Sequence, residues 1–413
     1  MDIYMDNILR SISAALDLSE MSSINKDNNI IENITNINYS SHFFLHHSER
    51  TSYIAYSLAK AMNIEGSRLE YIYVSSLLHD IGAANFLSNT CSNELFIKGH
   101  CETGAKIVKS FPIFKNIGKI ILYHHENWDG SGALNIKNSA IPLESQIIRM
   151  ADIIELLYKE NIPYYIQKEF ITKWILEKKD KIFSPKLIKG FLKASSKDSF
   201  WLNIENTTYM SYILADISPV GNYKLDLNSL TNIAYIFSNI IDSKSKFTAN
   251  HSIEISKLSY SLCKILNYDE KTCTKMKIAG LLHDTGKLAV PTSILDKDGP
   301  LNDSEFSIIK SHAYYTGVIL KKIANLKDIG NWASNHHEKL NGSGYPLKLT
   351  GKDLSRESRI LAVCDIYQAL TEDRPYRKGL KNEEAFSILD KMVLEGLICS
   401  KSVKDLKYTL YKL

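Results

Sequence analysis

An ordered set of histidines and aspartates occurs twice in this sequence, and this repeat constrains the fold more than any other feature. Both copies follow the pattern H…HD…H…HH…D, with the His-Asp pair inside LLHDIG or LLHDTG. The first His lies 32 residues before this pair in each copy (47 to 79, and 251 to 283), and the third lies 24 residues before the double His (100 to 124, and 312 to 336). Two identical intervals in one order predict two structurally similar units.

All seven recurring residues are of types that coordinate metal ions. In the second copy they are His251, His283, Asp284, His312, His336, His337 and Asp365. In the first copy they are His47, His79, Asp80, His100, His124, His125 and Asp152. A single buried His is usually a hydrogen-bonded core residue, and structural histidines remain the alternative interpretation. Seven potential ligand residues in one matching order favour a metal site, most strongly in the second copy.

Helical periodicity dominates the chain, and no strand-like alternation lasts long enough to build a sheet. In residues 6–20, for example, one helical face carries Ile8, Leu9, Ile12, Ala15 and Leu16. The length of 413 residues exceeds one average domain. We therefore predict an all-α fold made of two tandem helical bundles.

Composition changes suggest where the domains begin and end. We expect a first domain over 1–202 with an irregular insertion at about 21–40, a linker over 203–228 that contains Pro219 and Gly221, and a second domain over 229–413.

Charge and cysteine content exclude several classes of function. A net charge of +4 is small for 413 residues and argues against binding to DNA or RNA polymers, although a local basic site for a small anion is compatible with it. The six cysteines form no CxxC pair, so we expect free thiols in a reducing cytosol. No signal peptide and no membrane-spanning run are present, so a cytoplasmic protein without a membrane partner is expected.

The adjacent His-Asp pair suits two metal ions better than one. Neighbouring helical residues point about 100° apart, so His283 and Asp284 do not easily approach a single ion together. With two ions roughly 3.5–4 Å apart, Asp284 can bridge them. Our hypothesis assigns one ion to His251, His283, Asp284 and Asp365, and the other to Asp284, His312, His336 and His337. Imidazole and carboxylate ligands without thiolate favour Fe, Mn, Ni or Zn without choosing among them.

Basic and aromatic residues near the second copy would suit a phosphate ester. Lys287, three residues after Asp284, is placed to bind a phosphate oxygen; an exposed lysine is the alternative. Arg374 and Arg377 could hold a second phosphate or a base edge, or could form structural ion pairs. Tyr345 could stack on a purine with Pro346 fixing the loop, and a purely structural turn is equally compatible with both residues.

These motifs resemble the HD-GYP subgroup of the HD phosphohydrolase superfamily, bacterial enzymes that hydrolyse cyclic dinucleotides. The matching segments, which lie within residues 230–380, are HDTGK (283–287), ILDKDGPLNDSEF (294–306), HHEKLNGSGYP (336–346) and ALTEDRPYR (369–377). The resemblance implies a helical bundle with a binuclear or trinuclear centre, often of iron or manganese. It also implies hydrolysis of cyclic di-GMP to pGpG, or of 3′,3′-cGAMP to linear pApG in some tandem members. Asp284 and Lys287 would be catalytic, and Lys287, Gly344, Tyr345, Pro346, Arg374 and Arg377 would bind substrate.

Departures from the family pattern refine these expectations. Phe247 stands where members with three metals carry a glutamate, so we expect two divalent ions, with Fe or Mn favoured over Ni or Zn. Asn341 replaces the usual aspartate of the DGSGYP loop. The first copy, about residues 43–157, has Ala83 at the position of Lys287 and Ala133-Leu134 in place of Tyr-Pro. It also lacks the RPYR segment, so we interpret it as a degenerate regulatory or structural partner that keeps a candidate metal set.

The leading hypothesis is a metal-dependent cyclic dinucleotide phosphodiesterase in which a hydroxide bridging two ions in the second domain attacks phosphorus. One alternative is a non-catalytic receptor or scaffold for the nucleotide, which the intact Lys287 and ligand set oppose. Another is a mononucleotide phosphohydrolase, which the GYP and RPYR segments oppose. A homodimer or a signalling partner is left open, as are the metal and the preferred base.

Overall fold

The computed structural model describes residues 2–23, 35, 37, 42, 44–83, 93–114, 116–245, 250–323, 325–373 and 378–412. These residues are mainly helical, and the strands described among them, β1 (Ile3–Tyr4) and β2 (Lys224–Leu225), pair in a two-stranded sheet. The chain divides into two compact units, Tyr4–Tyr223 (the N-terminal unit) and Lys224–Leu413 with residues 1–3 (the C-terminal unit). The prediction of an all-α fold is confirmed.

The N-terminal unit contains ten described α-helices. They are α1 (Met5–Ser23), α2 (His47–Ala61), α3 (Ser67–Leu77), α4 (Asn93–Val108), α5 (Ile117–Leu122), α6 (Leu143–Leu157), α7 (Tyr164–Glu177), α8 (Pro185–Ser195), α9 (Asp198–Glu205) and α10 (Thr207–Ile217). A short 3-10 helix, Asn138–Ala140, precedes α6.

The C-terminal unit contains nine described α-helices. They are α11 (Leu227–Ser243), α12 (His251–Ile265), α13 (Glu270–Leu282), α14 (Thr292–Leu295), α15 (Asp303–Lys321), α16 (Lys327–Ser334), α17 (Arg356–Thr371), α18 (Asn382–Leu394) and α19 (Ser400–Lys412). A 3-10 helix, Thr285–Ala289, follows α13.

Local sequence explains where several of these helices begin. Asp226, Asp269 and Ser355 each accept a hydrogen bond from a backbone N–H in the first turn of α11, α13 and α17. Asn302 and Glu305 form a reciprocal capping box at the start of α15. Each cap satisfies donors that the helix cannot pair internally, so these boundaries follow from local chemistry.

The apolar faces of the first helix in each unit are buried. All five predicted face residues of α1 are buried, which confirms that amphipathic pattern. Its counterpart α11 buries a similar face that includes Leu230, Ile233, Phe237 and Ile241. Burial of such stripes is the main favourable term that holds helices of this kind together.

The structure places helices where the sequence indicated a linker. Over 203–228, α9 ends at Glu205, α10 covers Thr207–Ile217, and the boundary between the units falls between Tyr223 and Lys224. Met210 and Leu214 are fully buried one turn apart, and this burial outweighs the breaking tendency of nearby Pro219 and Gly221.

The insertion expected at about 21–40 lies largely outside the described residues, and α1 extends to Ser23. Among the described helices, none has the length and apolar character needed to cross a membrane.

Candidate metal centres

Five segments of the C-terminal unit bring its seven candidate ligands together. His251 is the first residue of α12, and His283 directly follows the last residue of α13. His312 lies within α15, the His336–His337 pair follows α16, and Asp365 lies within α17. The residues of the sequence repeat therefore lie at the ends or on the inner faces of successive helices that pack together.

The ring orientation of three histidines is set by the backbone. The Nδ1–H groups of His283, His312 and His336 donate to the carbonyl oxygens of residues three positions earlier, at distances of 2.9, 2.6 and 2.6 Å. This tautomer leaves each Nε2 lone pair directed into the cluster. Such outer hydrogen bonds orient metal-binding imidazoles and increase their basicity.

The donor atoms form two groups that share one aspartate. The His251 half consists of His251, His283, Asp284 and Asp365, and the His312 half consists of His312, His336 and His337 together with the shared Asp284. Asp284 Oδ2 lies 3.1 Å from His283 Nε2, whereas its Oδ1 lies 3.5 Å from His312 Nε2. His251 Nε2 is 3.3 Å from Asp365 Oδ1. His251, His283 and Asp284 offer donor atoms within 4.8 Å of one another, as do the three histidines of the His312 half.

These donors fit divalent metal ions. His283 Nε2 is buried and makes no hydrogen bond to the described part of the chain, so a Lewis acid would satisfy it. Imidazole and carboxylate donors without a thiolate suit Fe, Mn, Ni or Zn. The spacing of the two halves around Asp284 is compatible with the two-ion hypothesis.

Electrostatics differ between the halves. Burial opposes the charged form of His251, but hydrogen bonds to Asp365 and Glu372 raise its pKa to about 9. Burial and the neighbouring His283 lower the pKa of His336 to about 3. Burial also lowers the pKa of His312. At neutral pH the His312 half is therefore already deprotonated, while His251 must lose a proton to bind a metal ion.

The glycine of the HD motif permits the close packing that forms the cluster. A Cβ added at Gly286 would lie 1.9 Å from the carbonyl oxygen of His312, and one added at Gly82 would lie 2.1 Å from that of His100. Any side chain at these positions would push the helix of the third His away. The glycine recurs in both copies because, in each unit, the helix that carries the third His packs closely against the turn after the His-Asp pair.

Candidate substrate-binding residues surround the C-terminal cluster. Lys287 Nζ lies 2.7 Å from Asp284 Oδ2. The Tyr345 ring packs against His337, with ring centroids 4.8 Å apart and planes tilted by 36°. Gly344 lies in contact with the backbone of Glu338 and Lys339, where an added Cβ would clash, and Pro346 follows Tyr345 in the same loop. Arg374, Arg377 and Phe247 lie outside the described residues.

The glutamate of each HHE triplet has a structural role that the sequence analysis missed. Glu338 accepts hydrogen bonds from the backbone N–H groups of Leu347 and Leu349 at 2.7 and 2.9 Å. Glu126 accepts from Leu134 and Ile136 at 2.7 Å each. The carboxylate therefore closes the glycine-rich loop back on the histidine pair. Its presence in both triplets was the available signal.

The N-terminal unit assembles its seven residues in the same arrangement. The His47 half consists of His47, His79, Asp80 and Asp152, and the His100 half consists of His100, His124 and His125 with the shared Asp80. Asp80 Oδ2 lies 3.2 Å from His79 Nε2, and its Oδ1 lies 3.4 Å from His100 Nε2. Each half offers at least three donor atoms within 4.8 Å of one another. Like Asp284, Asp80 contacts both halves.

Different charged residues surround the N-terminal cluster. Glu155 accepts from His47 Nδ1 at 2.5 Å and from Arg50 at 2.5 Å, and His42 Nε2 lies 2.9 Å from it. Glu372 has the corresponding contact with His251 Nδ1, at 3.1 Å. Neither glutamate was identified from the sequence, because each lies at a different distance after the last aspartate.

In both units a carboxylate from the first helix holds the start of the helix that carries the first His. Asp17 accepts from the backbone N–H and the hydroxyl of Ser48 at 3.2 and 2.6 Å. Asp242 accepts from the same two groups of Ser252 at 3.1 and 2.8 Å. Burial raises the pKa of Asp17 to about 7, and it raises that of Asp242 in the same direction.

Comparison with known protein families supports the two-copy interpretation. A sequence profile described as HD domain matches residues 31–171 and 235–398. The two matched segments contain both clusters, and together they cover more than half of the chain.

The chain is also similar to characterised proteins. It is 31% identical over 376 residues to 3′3′-cGAMP-specific phosphodiesterase 1 of Vibrio cholerae, with 86% of this chain and 85% of that protein covered. It is 36% identical over 148 residues to a cyclic di-GMP phosphodiesterase of Pseudomonas aeruginosa, covering 35% of each. A crystal structure of a cyclic GMP-AMP specific phosphodiesterase of V. cholerae matches the whole chain with a TM-score of 0.67 at 22% identity, which shows a shared fold.

Proposed function

The chain belongs to the HD domain family, and from that premise we propose that its C-terminal unit hydrolyses a cyclic dinucleotide. The relative matched over 86% of this chain is specific for 3′3′-cGAMP, so we propose cleavage of 3′,3′-cGAMP to linear pApG. A shorter match to a cyclic di-GMP phosphodiesterase makes cyclic di-GMP, cleaved to pGpG, the alternative substrate. In either reaction water adds across one P–O3′ bond, and the released 3′-oxygen takes a proton.

One observation carries the choice of the C-terminal unit. Lys287 contacts Asp284, the aspartate shared by both halves, at 2.7 Å. Burial opposes the charged form of Lys287, but Asp284 raises its pKa, so the side chain is a fixed cation at the edge of the cluster. A cation held there can bind a non-bridging phosphate oxygen and stabilise its developing charge. Ala83 offers no such group in the N-terminal unit.

The metal ligands follow from the two halves. Residues of the His251 half would hold one divalent ion and those of the His312 half the other, with Asp284 common to both. Two metal ions held in this way would lower the pKa of a bound water and neutralise the charge on phosphate oxygens. Fe and Mn are the first candidates because the resemblance implies them, with Ni and Zn as alternatives.

Protein groups would position the nucleotide above these ions. The exposed part of Tyr345 offers an aromatic surface for a purine base, and stacking of this kind contributes about 1–3 kcal/mol per base. Gly344 and Pro346 hold Tyr345 in a loop that Glu338 closes. Arg374 and Arg377 would bind the second phosphate.

The N-terminal unit is proposed as a regulatory or structural partner. It retains a candidate metal cluster, but it has neither a counterpart of Lys287 nor the Tyr-Pro sequence of the C-terminal loop. We therefore assign catalysis to about residues 229–413 and a degenerate copy to about residues 1–202.

A product assay tests this assignment. The purified full chain, kept anaerobic with Fe(II) or Mn(II), would be incubated with 3′,3′-cGAMP and with cyclic di-GMP. We expect the paired change His283→Ala/Asp284→Ala to reduce turnover at least about 10³-fold, because both effects of the metal ions are lost. The matched change His79→Ala/Asp80→Ala should leave turnover within a few-fold of wild type.

The other outcomes separate the competing functions. Loss of turnover only in His79→Ala/Asp80→Ala would reverse the roles of the units. Tight binding of an uncut cyclic dinucleotide by the metal-loaded protein would identify a receptor. Hydrolysis of mononucleotides alone would identify a mononucleotide phosphohydrolase.

A further inference from the structure

Glu20 is a carboxylate for which the described residues provide no hydrogen-bond partner. Its side chain lies in α1 of the N-terminal unit, is 4% exposed, and neither oxygen accepts a bond from any described group. The charged groups that act on it most strongly are Asp80, followed by His47, Asp17 and Asp152. The charged form of a buried carboxyl group among other carboxylates is costly unless a cation compensates it.

This carboxylate is specific to the N-terminal unit. Asp17 and Asp242 occupy matching positions, since each holds the serine that follows the first His of its cluster. Three residues further along, the N-terminal unit has Glu20 and the C-terminal unit has Ser245. The Ser245 hydroxyl donates to Asp296 at 2.7 Å. Of these two matching positions, only the one in the N-terminal unit carries a carboxyl group.

A second difference affects the other half of the N-terminal cluster. Arg149 is 1% exposed, and its NH1 group donates to Nδ1 of His125 at 2.9 Å. The same atom lies 3.8 Å from Asp152 Oδ2. Counting back three residues from the last aspartate of each cluster, the C-terminal counterpart of Arg149 is Ala362.

The contact with Arg149 removes His125 from the metal-ligand set. A neutral imidazole has one nitrogen lone pair available for hydrogen bonding or coordination, and Arg149 only donates hydrogen bonds. While Nδ1 accepts from Arg149, the ring proton is on Nε2, so neither nitrogen can bind a metal ion. The guanidinium also places a permanent positive charge beside the His100 half.

We propose that the N-terminal cluster binds a single divalent cation in its His47 half, with Glu20 as an added carboxylate ligand and Arg149 taking the place of a second ion. This inference deepens the proposed metal chemistry and depends on it. A divalent ion in the His47 half would favour the ionised forms of Asp80, Asp152 and Glu20, and the guanidinium of Arg149 adds a positive charge 3.8 Å from Asp152. The carboxylate-rich donor set suits Mn²⁺ better than a softer ion. Such a site holds a cation without forming a two-ion centre.

The test measures bound manganese in the full-length chain. The changes His283→Ala/Asp284→Ala/His312→Ala/His336→Ala remove donors from both halves of the C-terminal cluster. Equilibrium dialysis against Mn²⁺ followed by mass spectrometry of the metal then reports the N-terminal site. We expect one ion per chain. Adding Glu20→Gln should weaken its binding between about 10- and 100-fold, the range seen when groups that support a metal site are lost. Adding Arg149→Met should raise the content to two ions.

Matched variants separate these effects from misfolding. Arg149→Lys keeps the cation and should retain one ion. Ser245→Ala changes the position that corresponds to Glu20 and should leave the number of ions bound by the N-terminal unit unchanged. Circular dichroism checks the helical content of each variant. The inference would be overturned if the N-terminal unit bound two ions while Arg149 was unchanged. It would also be overturned if a folded Arg149→Met variant still bound one ion, or if Glu20→Gln left the affinity for Mn²⁺ unchanged.

The proposed function has a separate readout. The chain with an intact C-terminal cluster and His79→Ala/Asp80→Ala should bind two ions. If that variant binds no metal ion, the proposed metal chemistry of the C-terminal unit is wrong, regardless of how many ions the N-terminal unit binds.

Discussion

The two clusters share the placement of their metal-ligand residues and differ in the cations around them. Each has an aspartate that contacts both halves, Asp80 in one unit and Asp284 in the other. In the C-terminal unit the nearby cation is Lys287, at the edge of the cluster. In the N-terminal unit it is Arg149, buried against a candidate ligand. The N-terminal unit therefore keeps the placement of the candidate ligands without a counterpart of Lys287, the residue that we propose binds a phosphate oxygen.

Exchanging the lysine between units tests this comparison most strongly. We expect Lys287→Ala to lower kcat about 10²–10³-fold, the usual loss when one preorganised donor to a developing charge is removed. Ala83→Lys should leave total turnover unchanged, because the N-terminal loop lacks a counterpart of Tyr345. Steady-state hydrolysis of the preferred cyclic dinucleotide measures both. Equal turnover in Lys287→Ala and wild type would remove the basis for assigning catalysis to this unit.

The pH dependence of metal affinity should separate the two halves of the C-terminal cluster. Burial opposes protonation of His251 and His283, but Asp365 and Asp284 respectively raise their pKa values, to about 9 for His251. A metal ion that binds to the His251 half must therefore displace protons. The affinity of this half for the ion should rise about tenfold per pH unit for each displaced proton, until about pH 9. Burial lowers the pKa values of His312, His336 and His337 below their ordinary range, so the affinity of the His312 half for a metal ion should vary little between pH 7 and pH 8.

Titration of the apoprotein with Mn²⁺ against a competing chelator at pH 6, 7 and 8 measures this difference. The N-terminal cluster shows the same directions, since His47 and His79 have raised pKa values and His100 and His125 have lowered ones. Affinities that are independent of pH for both ions of the C-terminal unit would contradict the assignment of His251 as a ligand. Loss of the pH-dependent phase in His251→Ala would support it.

A smaller effect should distinguish the two loop-closing glutamates. Replacing Glu338 or Glu126 by glutamine weakens two hydrogen bonds to backbone N–H groups. Each change should lower the free energy of unfolding of its unit by about 1–3 kcal/mol. Only Glu338→Gln should also raise KM, because its loop carries Tyr345. Thermal denaturation and steady-state kinetics measure the two effects. An equal rise in KM for Glu126→Gln would show that the N-terminal loop contacts substrate.

The fold was predictable because its main signals are local and periodic. The apolar face of α1 and the capping residues of α11, α13 and α17 are each set by neighbouring residues. The expected linker differs from the structure because Met210 and Leu214 gain burial only once the unit is packed. That gain depends on tertiary contacts, which composition along the chain does not record.

The clustering of the candidate ligands was predictable, whereas their surroundings were less so. The repeat identified all seven candidate ligands per copy because their order and intervals are similar. Glu155, Glu372 and Arg149 were missed because their roles depend on which helices pack together. Glu20 was missed for a related reason, since the chain between it and His47 is much longer than between Ser245 and His251.

The aspartate that holds the start of the first His-bearing helix sets a lower limit on the size of a working unit. Residues 251–365 include all seven C-terminal candidate ligands, yet Asp242 lies before them and determines where α12 begins. In the N-terminal unit the corresponding Asp17 precedes His47 by 30 residues (17 to 47). A shortened chain cut just before His47 or His251 would keep every candidate ligand and lose the carboxylate that holds the first turn of the helix bearing the first one. Transplanting either cluster into another helical scaffold therefore requires the preceding helix as well as the ligand-bearing helices.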